Sequence, residues 1–271
     1  MKTILFSKLF QDRSPAALVE LAQSLGIQGY DLAVRAGYPV NPGNAEAELP
    51  RVAALMRQNG LDIPMITGEG DLLEPSHPTA LPILRGMAKA DVRLLKLGYF
   101  HFHAGQDVYS VQVERIRRAF GQWQKLAREY GVKVCYHTHS GDYMGMNCSS
   151  MLHLLSGFDP ECLGAYIDAA HMVVNGEEFA FGLAMVRQYL SIVAVKDVML
   201  TRAEKNGHGS VKVSWVPAGQ GMVDWTAVFD CLKAVRYEGP MSIHCEFEAP
   251  AGQFMETVKR EVAFFKRFVE R

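Results

Sequence analysis

Short apolar runs alternate with amphipathic stretches along the whole chain. Ile4–Phe6 reads as a first strand, and Ser14-Pro15 as an N-cap followed by proline at the first helical position. Leu18, Leu21, Ala22 and Leu25 then lie on one helical face, which Gly26 terminates. The alternation continues with strands over 29–32, 63–67 and 92–98 and helices over about 45–59, 81–90 and 108–130. A fifth strand begins at Val134, followed by a helix over about 149–156 and strands over 163–168 and 192–196. The pattern places a helix over 177–190 between those two strands and another near 225–235. A strand over 241–246 and a helix over 257–269 close the chain. Thr201–Gly221 reads as a long loop, a lid or a dimer contact.

Eight strand–helix units without a long linker predict a (β/α)8 barrel, one domain over residues 1–271. An open doubly wound sheet would show a glycine-rich phosphate turn after the first strand, and Ser7-Lys8-Leu9-Phe10 is not one. In a barrel, the C-terminal strand ends form the mouth of the site. The ionisable residues cluster there: His137 and His139, Asp168 and His171, Lys196, and Glu246. Strand alternation sends His137 and His139 one way and Tyr136 and Thr138 the other. It also aligns Ser242, His244 and Glu246. Two carboxylates at one rim repel each other unless a cation lies between them. Either a divalent metal or the Lys196 ammonium fills that role.

Composition narrows the partners. The 271 residues carry a formal net charge of −1 and no basic run, which disfavours nucleic acid. The five cysteines include no CxxC pair and read as reduced thiols in a cytoplasmic protein. The apolar start, Ile4-Leu5-Phe6, is too short for a signal sequence or a membrane span.

Several pieces of the chain, in order, resemble the sugar isomerase/epimerase superfamily with a xylose-isomerase-like barrel. They are Gly29-Tyr30-Asp31-Leu32, Gly131-Val132, Asp168-Ala169-Ala170-His171, Val195-Lys196-Asp197, Gly219-Gln220-Gly221-Met222-Val223-Asp224-Trp225 and Gly239-Pro240. The resemblance implies a divalent metal (Mn, Co, Zn or Mg) held by Glu, Asp, His and Glu on strands five to eight. Asp168 and Glu246 match that set. His137 stands in the strand-five position and Ala194 in the strand-seven position, where no ligand atom exists.

The resemblance further implies an isomerase or epimerase acting on a sugar through an enediolate. Glu246 would be base and metal ligand, His137 ligand or opposing acid/base, and Lys196 the oxyanion stabiliser. His139, His171, Arg35, Glu69 and Trp215 would contact the sugar. Arg35 could hold a sugar carboxylate or phosphate, although no phosphate-binding glycine turn accompanies it. His137-Thr138-His139 resembles the His-Pro-His variant of inosose-dehydratase-like members, so a dehydratase or lyase is the alternative. A barrel that binds carbohydrate without turnover is the third reading. A small-molecule sugar and a second copy in a homodimer are the implied partners.

Overall fold

The computed structural model describes residues 1–270. Strand β1 (Lys2–Phe6) leads through a 3-10 turn at Ser7–Phe10 to helix α1 (Pro15–Leu25) and strand β2 (Gly29–Ala33). Both predicted ends of α1 are present. Ser14 Oγ accepts from Ala17 N–H, and Gly26 turns the chain out at φ 64°, where a side chain would be strained. Then come α2 (Ala45–Gln58), β3 (Asp62–Thr67), α3 (Ala80–Ala90), β4 (Leu94–Lys96), α4 (Tyr109–Tyr130) and β5 (Lys133–His137). They are followed by α5 (Cys148–Leu155), β6 (Leu163–Asp168), α6 (Ala169–Val174), α7 (Phe179–Val186) and β7 (Leu190–Val195).

After β7 the chain makes an antiparallel hairpin of β8 (Asp197–Lys205) and β9 (His208–Val216). Helix α8 (Trp225–Ala234), strand β10 (Pro240–Ile243) and helix α9 (Phe254–Val269) complete the fold. Eight parallel strands close in the order β1-β10-β7-β6-β5-β4-β3-β2, which is the predicted barrel. No helix among the described residues is long and apolar enough to cross a membrane.

Three expectations are corrected. The loop over 201–221 is mostly the β8–β9 hairpin, a two-stranded ribbon outside the barrel. The helix expected over 177–190 is the shorter α7, and a further short helix that was not expected, α6, precedes it and is capped by Asp168. The last barrel strand ends at Ile243, so His244, Cys245 and Glu246 lie just beyond it.

The core has two parts. The larger one packs the helices against the outside of the barrel. Trp123, fully buried on α4, belongs to it and donates to Leu73 O at 2.8 Å. A smaller cluster of Ile4, Met65, Cys135, Tyr166, Ile192 and Ala194 plugs the barrel interior. Both Asp168 and Ser242 pair in register with Ala194. Position 194 is therefore part of this plug, and the polar residues sit on top of it.

Candidate active site

Asp168 is the pivot, and its place follows from local structure. It ends β6 and caps α6, with Oδ1 accepting from Ala170 N–H at 2.9 Å and His171 N–H at 3.2 Å. One oxygen is thereby tied to the backbone and the other, Oδ2, is turned toward the barrel axis. Around Oδ2 stand Lys196 Nζ at 3.5 Å, His171 Nε2 at 3.9 Å and His137 Nε2 at 4.0 Å. Asp168 Oδ2 and both Nε2 atoms are buried without a hydrogen-bond partner. Buried polar atoms are nearly always paired, so three orphans around one point mark a place built for something else.

Lys196 Nζ also reaches Glu246 Oε2 at 2.8 Å, and Lys8 Nζ takes Glu246 Oε1 at 2.5 Å. Burial works against the Lys196 ammonium. The Asp168 and Glu246 carboxylates outweigh it and hold the ammonium above the ordinary lysine value. Burial likewise works against charge on Glu246, and Lys196, His244 and Lys8 overcome it and keep that carboxylate far below its ordinary range. Asp168 goes the other way: burial raises it to about 6, against the pull of Lys196.

The histidines are neutral. Burial, reinforced by nearby lysines, lowers His137 and His171 well below the ordinary imidazole range and His139 to about 4. His171 Nδ1 lies 3.2 Å from Ser140 N–H, which donates to it, and 2.8 Å from Ser140 Oγ. In the neutral ring the remaining proton is then on Nε2, aimed at the orphan point. His139 packs on His171 with ring centres 3.9 Å apart and on Tyr99 at 4.7 Å. Deeper in the barrel, Asp31 accepts from Thr67 Oγ1 at 2.6 Å and Ser242 Oγ at 3.0 Å. The Tyr166 hydroxyl links Asp31, at 3.3 Å, to His244 Nε2, at 2.8 Å.

Two cavities meet at this cluster. The inner one, about 150 Å³, is lined by His137, His139, His244, Arg35, Lys96 and Glu246, among others. The outer one, about 440 Å³, is lined by His139, His171, Trp215 and Phe254. Lys8, Lys196 and Glu246 border both and form the partition. Trp215, carried by β9, stacks over the mouth, with Lys196 Nζ 4.4 Å from its ring centre and His171 at 4.9 Å.

Asp197, next to Lys196, anchors this hairpin. Its carboxylate accepts from Val198, Gly219, Gly221 and Val223 N–H and from Trp225 Nε1. Gly221 has to be glycine, since a Cβ there would sit 2.1 Å from Asp197 Oδ1. Trp225 also packs edge-on to Phe265.

Glu246, His137, Lys196, His139, His171, Asp168, Arg35 and Trp215 are thus gathered at one mouth. Glu69 is not among them: it accepts from Ala36 N–H at 3.0 Å and lines neither cavity. Sequence reasoning passed over Lys8, Lys96 and Tyr99. Lys96 had a readable signal, a charged residue in the apolar run Leu94-Leu95-Lys96-Leu97.

The strand-end set does not fit the divalent ion of the resemblance. Ala194 offers no ligand atom, both Glu246 oxygens are held by lysines, and an ammonium sits between the two carboxylates. A metal bound at about 2.1 Å needs donors within roughly 4 Å of each other. Among the described residues, three metal-capable side chains approach within 4.8 Å only at His101, His103 and Asp142, all exposed on the rim.

Comparison with known proteins agrees with the fold. The family model described as xylose isomerase-like TIM barrel matches residues 19–268. Inosose dehydratase of Geobacillus thermodenitrificans is 29% identical over 131 residues, covering 45% of this chain and 43% of that protein. Inosose dehydratase 2 of Bacillus cereus is 30% identical over 139 residues, with the same shares. The chain thus spans less than half the length of these relatives. Among solved structures, 3-keto-D-glucoside 4-epimerase from E. coli superposes with a TM-score of 0.75 at 15% identity, covering 98% of this chain and 99% of that one. A probable 3-DHS dehydratase from Bacillus anthracis gives 0.72 at 17% identity, covering 98% and 99%.

Proposed function

The chain belongs to the xylose isomerase-like TIM-barrel family, and from that premise we propose an enzyme that moves a proton beside the carbonyl of a small keto sugar. The reading is an isomerase or epimerase working through an enediolate. One observation carries it: a buried ammonium, Lys196, held between Asp168 and Glu246 at the mouth of the inner cavity. It stands where the resemblance would put a cation, and it supplies one unit of positive charge there in place of a divalent ion's two.

Lys196 cannot serve Glu246 and a substrate oxygen fully at once. A carbonyl oxygen placed at Nζ draws on the ammonium charge, and Glu246, relieved of part of it, becomes more basic. Glu246 then takes the proton from the carbon beside the carbonyl. The C–H electron pair becomes a C=C bond, and the carbonyl π pair moves onto oxygen, where Lys196 stabilises it. The Nε2–H of His171 is aimed at the same point as a further donor. Return of the proton from Glu246 to the former carbonyl carbon, while the hydroxyl on the adjacent carbon gives its proton to the oxyanion and becomes the new carbonyl, completes an isomerisation. His137 and His139 line the cavity with Glu246 and would serve the opposite face in an epimerisation.

The similarity to proteins named inosose dehydratase favours a second reading. In it, the same enediolate reforms its carbonyl and expels a β-hydroxyl, which leaves as water with the proton held by Glu246.

The test is incubation of chelator-treated protein with D-fructose, D-psicose and keto-inositol in D2O, followed by NMR and mass spectrometry. Deuterium beside the carbonyl without loss of water identifies an isomerase or epimerase. An unsaturated product identifies a dehydratase. Either signal should vanish in Glu246→Gln. Measurable sugar binding with no exchange and no water loss would make this a barrel that only binds carbohydrate.

A further inference from the structure

The charge lining the inner cavity is unbalanced, and the imbalance bears on the substrate of the reaction proposed above, on which this inference rests. Lys8 and Lys196 are matched to Glu246 and Asp168. Lys96 and Arg35 are in no ion pair; the carboxylate that faces both, Asp31, is held by Thr67 and Ser242. Among the described residues, neither has a carboxylate oxygen within 4.0 Å. Lys96 ends β4, in register with Thr67 on one side and Cys135 on the other, and is only 3% exposed. Its ammonium lies 3.7 Å from the centre of the Tyr99 ring. Arg35 follows β2. Its Nε donates to Gly68 O at 2.9 Å and fixes the guanidinium beside the Phe6 ring, and its terminal nitrogens make no hydrogen bond among the described residues.

A buried ammonium with no carboxylate in contact is costly, and the more distant Asp31 and Glu246 offset only part of that cost. Burial and the neighbouring Arg35 accordingly push Lys96 well below the ordinary lysine range. One anionic group between the two side chains would remove that cost. Arg35 offers a planar fork of donors and Lys96 a point charge, an arrangement suited to a carboxylate. The inner cavity, about 150 Å³, leaves little room for a tetrahedral phosphate beside a sugar chain.

We propose that Lys96 and Arg35 form a carboxylate subsite, so that the substrate is a keto sugar acid. The acid end lies on the β2–β4 side of the cavity and the carbonyl end at Lys196. The proton-transfer chemistry is unchanged; what is added is the class of molecule selected.

Isothermal titration with two matched pairs of probes tests this: D-glycerate against glycerol, and D-glucuronate against D-glucose. Charge-assisted hydrogen bonds should give at least one acid an advantage of ~10-fold or more over its neutral partner. In Lys96→Met and in Arg35→Gln that advantage should shrink to within about twofold. Lys96→Met trades a buried charge for a side chain of similar length and should melt at or above the wild-type temperature, which separates lost binding from lost folding. Equal binding of acids and neutral partners overturns the proposal, as does no acid binding up to the solubility limit. An acid preference that survives in both variants, or inorganic phosphate binding more tightly than either acid, also overturns it. Acid preference without deuterium exchange, in D2O incubations that include the keto sugar acid D-fructuronate, would leave the subsite standing and remove the proton-transfer reading; exchange without acid preference would do the reverse.

Discussion

Replacing Lys196 with methionine should cost both activity and stability, and the stability loss should depend on pH in a defined direction. The ammonium lies 3.5 Å from Asp168 Oδ2 and 2.8 Å from Glu246 Oε2. At an effective dielectric of about 20, each contact is worth roughly 5 kcal/mol before the cost of burying the lysine. Removing one partner of a buried pair typically costs about 3–5 kcal/mol. The lower end applies, because Glu246 keeps Lys8 at 2.5 Å. A loss of about 3 kcal/mol lowers Tm by roughly 6–10 °C in a chain of this size.

The pH dependence follows from Asp168. Its folded pKa, about 6, lies above the ordinary carboxylate value, so the folded state keeps a proton that the unfolded chain has released. Stability linked to this group therefore falls as pH rises from about 4 to about 6 in the wild type. Without Lys196 the folded pKa rises further, and the fall continues to higher pH. The gap between wild type and variant is thus smaller at pH 5, where only the Glu246 contact is lost, and widens above about 6 as Asp168 ionises. Melting curves followed by circular dichroism from pH 5 to 9 measure it. A gap that is equal at pH 5 and pH 8, or absent, would refute the placement of Lys196 as the counter-charge of Asp168. Turnover should fall by about 10²–10³, the usual effect of losing an oxyanion stabiliser.

Three further outcomes are expected. Plasma mass spectrometry of the purified protein should find no stoichiometric Mn, Co, Zn or Mg, and chelation should leave turnover unchanged; activity that is lost with the metal and restored by it would place an ion at the strand ends. Glu261 is buried, has one oxygen without a partner, and is raised by burial to about 8. Stability should therefore drop as pH rises from about 4.5 to about 8. Glu261→Gln should remove that slope and gain on the order of 3 kcal/mol at pH 8, read from denaturant unfolding. Asp197→Ala leaves four backbone N–H groups and the Trp225 indole without their acceptor, so it should cost about 3 kcal/mol or more and loosen the hairpin, visible as faster hydrogen exchange in β8 and β9.

The barrel was legible because its strands are apolar runs separated by helices of regular period, and closure buries both faces of every strand. Asp168 and Glu246 were legible because carboxylates at the ends of such runs have no packing reason to be there. The β8–β9 hairpin was not. Its residues are mostly exposed and rich in Lys, Gly and Ser, so the alternation of Val211, Val213 and Trp215 drew no attention without an apolar run around it. Nor was the pairing of Lys8 with Glu246. They are 238 positions apart and meet only because the first and last strands are neighbours in the closed barrel. Lys96 stands out in the apolar run Leu94-Leu95-Lys96-Leu97, but nothing local shows that its side chain enters the cavity rather than the solvent.

Asp197 also has a consequence for how this barrel can change. One carboxylate gathers the start of β8 and the return segment 219–225 into a knot at the base of the hairpin. Beyond that knot the ribbon is held mainly to itself, by the ladder running from Asp197–Val216 to Lys205–His208. Its tip is therefore a cassette. Lengthening, shortening or exchanging the segment between Arg202 and Val211 leaves Lys196 anchored, and Trp215 still has its partner Val198. Selectivity at the mouth can drift, in nature or in a library, while the chemistry beneath it stays fixed.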